Sequence, residues 1–161
     1  MTESTIQLWG YVIFAFVIVI FAYRALKAVK EENTMSNLEK YHGVFPAFYA
    51  CYDENGKVSV ERTKKLARHL VGKGVKGLYV GGSSGECIYL EKEERMLTLE
   101  AVMEEVKGEC TIIAHVACNN TADSQELAAH AESLGVDAIA SIPPIYFKLP
   151  PYAIAKYWND I

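Results

Sequence analysis

The sequence from residue 43 onward predicts an α/β domain built on a parallel sheet. Short apolar runs begin near residues 43, 75, 111 and 136, and a helical pattern follows each of them. A strand and a helix repeated about every 30 residues are typical of a parallel sheet, either doubly wound or closed into a (β/α)8 barrel. Four such units are present and a barrel needs eight, so the pattern fits a small open sheet or the front half of a barrel.

The composition supports a packed domain. Of the 161 residues, 51% are hydrophobic, which is enough for a core and excludes a disordered chain. The net charge of −4 argues against nucleic acid as the main partner, because duplex binding needs a basic face. Four cysteines, at 51, 87, 110 and 118, are too few and too scattered for a disulfide scaffold.

The N-terminal segment predicts a transmembrane helix. Residues 4–23 carry no charge, and a helix of that length is roughly 30 Å long, about the thickness of a hydrocarbon core. A signal peptide fits less well, because the residues before the run contain one acid, Glu3, and no base. The basic residues that follow the run place the rest of the chain in the cytoplasm: Arg24, Lys27 and Lys30.

The alternatives for this segment are a buried core helix and an extension foreign to the working protein. Met35 is a plausible start of a soluble protein. We therefore divide the chain into residues 1–34, a hydrophobic helix with a basic flank, and residues 35–161, a partial α/β domain.

The first strand–helix unit follows this boundary. Residues 43–49 (GVFPAFY) predict a strand, and residues 53–56 (DENG) predict a turn. Residues 60–73 predict a helix that ends at Gly72 and Gly74. Its less polar positions lie near one face: Thr63, Ala67, Leu70 and Val71.

Three further units complete the pattern. Residues 75–80 and the β-branched run 111–116 predict strands, and residues 91–107 between them predict a helix. Asn120 or Thr121 predicts the start of the next helix, and Gly135 its end after Leu134. Residues 136–142 predict the fourth strand, and Pro150 and Pro151 introduce the last helix.

The glycine-rich run GGSSGE at residues 81–86 is the first candidate site, because it directly follows the second predicted strand. Loops at the carboxyl ends of parallel strands bind ligands in α/β proteins. Two glycines allow close approach of the backbone, and successive N–H groups with two hydroxyls suit a carboxylate. No Gly-Lys-Ser/Thr follows, which disfavours a phosphate loop. The alternative is an ordinary glycine-rich turn.

The same run matches the Gly-x-Ser-x-Gly pattern of serine hydrolases, with Ser83 as nucleophile. That interpretation needs a later acid and histidine in loops. His115 falls on a predicted strand and His130 within a helix, so the hydrolase interpretation is the weaker one.

Tyr146 is the second candidate, because it stands just past the fourth predicted strand in the run IPPIYF. Its phenol is expected to face the same mouth as Ser83 and Ser84. A phenol with an ordinary pKa of about 10 needs a charged or hydrogen-bonding neighbour to move protons near neutrality. The alternative is a packing tyrosine.

Other clusters point to structure rather than chemistry. His115 and Cys118 are spaced like two metal ligands, but zinc needs three or four, so no metal site is expected. Cys51 and Cys87 fit small buried side chains. Residues 91–95 (EKEER) fit a solvated helix start.

Together these residues resemble a known family. The run GLYVGGSSGE at 77–86, the strand IAHV at 113–116 and the turn PIY at 144–146 closely resemble the N-acetylneuraminate lyases (sialic acid aldolases) of the dihydrodipicolinate synthase superfamily. The similarity runs from about residue 41 to residue 161. It implies a (β/α)8 TIM barrel, of which this chain is the N-terminal half.

The resemblance also implies a chemistry. In this family a lysine late in the barrel forms a Schiff base with the 2-keto carbon, and the iminium accepts electrons when the carbon–carbon bond breaks. By resemblance, Ser83 and Ser84 hold the keto-acid carboxylate and Tyr146 moves a proton. No cofactor is implied. The Schiff-base lysine falls beyond Ile161, and Lys148 lies in the wrong unit to replace it.

We therefore expect a fragment of a cytoplasmic sialic acid lyase that is inactive by itself, in a family whose full-length members are homo-oligomers, typically tetramers. Its implied ligands are the small molecules sialic acid and pyruvate. A membrane anchor at residues 4–23 is a further expectation. The alternatives are a dihydrodipicolinate synthase-like enzyme, a membrane-tethered module that binds a carboxylate without turnover, and the serine hydrolase.

Overall fold

The computed structural model describes residues 38–161, and Tyr41–Ile161 forms one compact unit. The predicted transmembrane helix at residues 4–23 lies outside the described residues. Within residues 38–161, no helix is long and apolar enough to cross a membrane.

The predicted parallel sheet is confirmed. It contains β1 (Gly77–Val80), β2 (Thr111–His115) and β3 (Ala138–Ala140), in the spatial order β1-β2-β3. Leu78 pairs with Ile112, and Ile113 pairs with Ala138, both in parallel register. All three strands therefore end at the same edge of the sheet, where the loops that follow them meet.

Within residues 41–161, four α-helices accompany the sheet, each close to its predicted bounds: α1 (Val60–Gly72), α2 (Lys92–Val106), α3 (Thr121–Leu134) and α4 (Pro151–Asp160). Their ends follow from local chemistry. The Asn120 side chain caps α3 by accepting a hydrogen bond from the Asp123 amide, and Gly135 closes it in the left-handed conformation. Ser59 caps α1 in the same way.

The first predicted strand forms only in part. Its Phe48 amide donates to Tyr79 O at 2.9 Å, and the Tyr79 amide donates to Pro46 O at 3.1 Å, so the segment runs parallel to β1. Pro46 has no N–H to continue this ladder, which reduces the pairing to a single bridge. The fourth predicted strand is likewise shortened to β3, ahead of Pro143 and Pro144.

The core lies between the sheet and the helices. Its fully buried members come from every layer: Phe48, Leu78, Ile112, Val102, Val106 and Val116. The predicted stripe of α2 is buried as expected, at Leu99, Val102, Met103 and Val106. The rigid packing beneath β1 and β2 supports the loops at their carboxyl ends.

Candidate active site

The 81–86 loop leaves the carboxyl end of β1 through a sharp turn. Gly81 has φ +74°, and a single 3-10 turn at Ser83–Gly85 follows it. The Glu86 amide donates to Ser83 O at 3.0 Å, and Glu86 itself has φ +57°, which is uncommon for a residue with a side chain. Ser83 is exposed and Ser84 is half-buried, so neither serine is sealed within the core.

The glycines of this loop are required by close packing. A Cβ atom on Gly82 would lie 2.6 Å from Cε1 of Tyr79, and one on Gly85 would lie 3.0 Å from Phe48 O. The loop therefore sits directly on the residues beneath it, which explains why small residues flank the two serines.

His115, the last residue of β2, contacts the start of the loop. Its Nδ1 lies 3.0 Å from Gly81 O, and its ring centroid lies 6.2 Å from that of Tyr79. Burial and the neighbouring Arg95 guanidinium hold the pKa of His115 below its usual value, whereas the hydrogen bond to Gly81 opposes this shift. The imidazole is therefore neutral near pH 7.

Arg95 corrects the prediction of a solvated helix start, because its side chain turns inward and is only 6% exposed. It donates to Ala117 O at 2.9 Å, to His115 O at 2.8 Å and to Cys118 Sγ at 3.1 Å. Carbonyl groups at the end of β2 and just beyond it thus find their partners in a helix side chain. Sequence periodicity gave no sign of this, since Glu91 and Glu93 in the same run are exposed.

The far end of the loop is held by Tyr52. Its hydroxyl donates to Glu86 Oε2 at 2.8 Å. Desolvation and the Glu86 carboxylate raise the pKa of Tyr52 to about 12, so the phenol stays protonated as the donor. Sequence reasoning missed this residue, because it precedes α1 in a stretch without a motif.

Tyr146 lies in a different setting. It is 81% exposed, and its ring meets Phe147 edge-on with the centroids 4.7 Å apart. It lines a cavity of about 600 Å³ together with side chains of α4, among them Tyr152 and Lys156, and neither Ser83 nor Ser84 lines that cavity. The loops that carry the serines and the tyrosine leave the same edge of the sheet.

A buried polar cluster that the sequence did not suggest joins α4 to the loop after β2. The Tyr157 hydroxyl donates to Cys118 O at 2.9 Å and lies 2.8 Å from Ser124 Oγ. The Cys118 amide in turn donates to Ser124 Oγ at 2.8 Å. Within this cluster, Tyr157 also lines the cavity beside Tyr146.

The remaining candidates have structural surroundings. His130 Nε2 lies 2.8 Å from Glu100 Oε1, and within residues 38–161 neither His130 nor His115 forms a hydrogen bond with Ser83. Cys87 is buried, as expected, and Cys51 is half-buried. In the described part of the chain, no group of three or more His, Cys, Asp or Glu side chains could hold a metal ion.

The fold and the loop geometry define an α/β protein whose candidate ligand site lies at the carboxyl edge of a parallel sheet. The chain belongs to the dihydrodipicolinate synthetase family, whose model matches residues 40–161.

Two curated relatives are informative. The chain is 65% identical over 132 residues to an N-acetylneuraminate lyase of Mediterraneibacter gnavus, covering 82% of this chain and 42% of the relative. It is 42% identical over 105 residues to the lyase of Citrobacter koseri, covering 65% of this chain and 35% of the relative. The chain thus spans about two fifths of the length of these relatives.

Solved structures give the same picture. A Ruminococcus gnavus sialic acid aldolase, in a catalytic lysine mutant, matches at 67% identity with a TM-score of 0.75, over 76% of this chain and 40% of that one. CdNal from Clostridium difficile, solved in complex with mannosamine, matches at 33% identity with a TM-score of 0.71, over 74% and 43% of the two chains.

Proposed function

We propose that this chain provides the carboxylate-binding and proton-transfer residues of a Schiff-base aldolase that cleaves N-acetylneuraminate to N-acetylmannosamine and pyruvate. The observation that carries the proposal is the 65% identity to an N-acetylneuraminate lyase, in a segment that includes the 81–86 loop. A synthase-like activity is the second candidate, supported by a dihydrodipicolinate synthase structure at 31% identity and a TM-score of 0.69. The higher identity favours the lyase.

The proposed chemistry divides between residues. The hydroxyls of Ser83 and Ser84 donate to the carboxylate of the keto acid and orient its carbonyl carbon. Tyr146 relays the proton of the substrate hydroxyl to water as the carbon–carbon bond breaks: the phenol oxygen takes that proton while its own proton passes to water. The substrate oxygen becomes the aldehyde of the product. The bonding electrons move to the iminium, and the lysine that forms it is not among the matched residues 40–161.

The architecture is part of the same proposal. We infer that the strands and helices described above are the first units of a (β/α)8 barrel. The strands are parallel and in sequential order, and a strand–helix unit of about 30 residues is the length that such a barrel repeats. A homo-oligomeric, tetrameric assembly in the cytoplasm, and a membrane anchor at residues 4–23, are further proposals carried by the resemblance and by the apolar run.

Borohydride trapping tests the reaction. By the native protein we mean the longest natural chain that contains residues 1–161. We expect it to release pyruvate from N-acetylneuraminate and to form a borohydride-stable adduct with pyruvate. We expect residues 1–161 alone to do neither. Adduct formation by residues 1–161 alone would contradict the proposal that the Schiff-base lysine lies outside them. Absence of pyruvate release by the native protein would contradict the proposed lyase activity.

Serine variants test the carboxylate site. Ser83→Ala and Ser84→Ala should each raise KM for the substrate about fivefold to a hundredfold, because a hydrogen bond to a charged group contributes about 1–3 kcal/mol. Ser133→Ala is the matched control, because this exposed serine of α3 bonds only to its own helix, at His130 O. A fluorophosphonate probe separates the hydrolase alternative, which alone predicts labelling of Ser83.

A further inference from the structure

We propose that His115 is a positioning residue for the 81–86 loop: its Nδ1–H donates to Gly81 O and thereby sets the backbone that presents Ser83 and Ser84 to the carboxylate. The inference rests on the proposed function of that loop. It adds a residue that touches neither the substrate nor the reacting atoms.

The direction of this hydrogen bond follows from its partners. Nδ1 lies 3.0 Å from the carbonyl oxygen of Gly81, which can only accept, so Nδ1 must carry the proton. Arg95 Nη2 is 3.5 Å from the same Nδ1, but a guanidinium can only donate. Arg95 instead donates to His115 O at 2.8 Å and holds the residue from its backbone side.

The position of the bond explains its importance. The β1–β2 ladder ends where Val80 pairs with Ala114. Gly81 and His115 are the next residues on the two strands, and there the histidine side chain contacts the carbonyl group of the departing chain. The bond therefore acts at the first residue of the turn, where φ changes to +74°.

The surroundings keep this geometry fixed. His115 is 6% exposed, and the groups known to face its ring are Arg95 from α2, Tyr79 from β1 and Gly81 O. A buried donor with one acceptor has few alternative arrangements. Breaking the hydrogen bond would leave the N–H and the carbonyl oxygen with no partner, because water does not reach them. Preorganised donors bind a ligand better, since the ordering cost is met during folding.

Three substitutions separate this role from simple packing. His115→Asn places an amide N–H near the position of Nδ1, His115→Gln places one near Nε2, and His115→Leu keeps bulk without a donor. For the native protein we expect His115→Leu and His115→Gln to raise KM for N-acetylneuraminate about fivefold to tenfold, with a smaller change in kcat. His115→Asn should stay within about threefold of the wild type. His130→Leu is the control, since His130 pairs with Glu100 away from the loop.

Amide hydrogen exchange provides a second measurement that does not depend on turnover. In residues 1–161, the amides of Gly85, Glu86 and Cys87, which bond within the loop, should exchange faster in His115→Leu than in His115→Asn. If the wild type shows no lyase activity, the proposed function fails while this comparison still decides the role of His115.

Equal KM values for the Asn and Gln variants, or wild-type KM and exchange in His115→Leu, would overturn the proposal. If His115→Leu does not fold, as judged by circular dichroism, the Asn and Gln variants alone decide it. The Asn and Gln variants both carry an amide N–H. They differ mainly in its position, which is near that of Nδ1 in His115→Asn and near that of Nε2 in His115→Gln.

Discussion

The loops after β1 and β3 carry the two parts of the proposed site, and they are held by different parts of the molecule. The 81–86 loop is fixed at Gly81 by His115 and at Glu86 by Tyr52. In the loop after β3, the Ile145 amide donates to Asn119 Oδ1 at 3.2 Å, while Tyr146 is largely exposed. Binding a carboxylate requires donors held in advance, whereas a residue that moves a proton must reach a bound substrate.

The largest expected effect separates these roles at Tyr146. Tyr146→Phe should lower kcat for pyruvate release by the native protein about a hundredfold to ten-thousandfold, because general acid–base catalysis contributes on that scale. KM should change little, since the serine loop is untouched. Tyr89→Phe is the control, because this exposed tyrosine lies past the serine loop. Equal losses in the two variants would contradict a specific role for Tyr146.

The next effect concerns stability on the β2 side. Arg95→Leu should lower the free energy of unfolding of residues 1–161 by about 2–4 kcal/mol, because carbonyls of His115 and Ala117 lose their buried donor. Urea unfolding measures this loss. Arg68→Leu is the matched control: its ion pairs with Glu105 and Glu109 are partly exposed, so a smaller loss is expected. A larger loss of unfolding free energy in Arg68→Leu would show that the buried hydrogen bonds of Arg95 contribute less to stability than their geometry indicates.

Gly81→Ala tests the turn itself. Gly81 and Gly56 both have φ +74°, so an alanine at either position should destabilise the fold by about 1–2 kcal/mol through backbone strain. Only Gly81→Ala should also weaken substrate binding by the native protein. Gly56→Ala has no atom within 4 Å of its new Cβ and therefore isolates the strain. Equal KM values for the two variants would show that the turn at Gly81 does not affect substrate binding.

The smallest expected effect is the pH dependence of stability. The pKa of His115 in the folded state lies below its usual value of about 6.5. The unfolded chain therefore binds more protons between these two pKa values, and stability falls as the pH drops through that window. Urea unfolding of residues 1–161 between about pH 7.5 and pH 5 should show a shallower loss in His115→Asn. An unchanged slope would contradict the burial of a neutral imidazole.

Sequence patterns predicted the elements better than the contacts between them. The helix predicted at residues 91–107 spans Lys92–Val106, and Asn120 and Gly135 bound α3 as expected. The prediction of a solvated side chain at Arg95 was wrong, because Glu91, Glu93 and Glu94 in the same run are typical of a solvated helix start. Tyr52 and Tyr157 were missed for a related reason: their partners, Glu86 and Cys118, are more than thirty residues away in the chain.

The sequence alone determined the α/β class, the helix and strand order and the position of the GGSSGE run, because capping residues, glycines and apolar periodicity act over a few neighbouring residues. Only the tertiary structure decided that Arg95 and His115 point inward, that Tyr52 reaches Glu86, and that Tyr146 lines a cavity with side chains of α4. Those arrangements depend on which buried polar groups find partners once the strands are side by side. Such pairing is set by packing across the sheet and not by spacing along the chain.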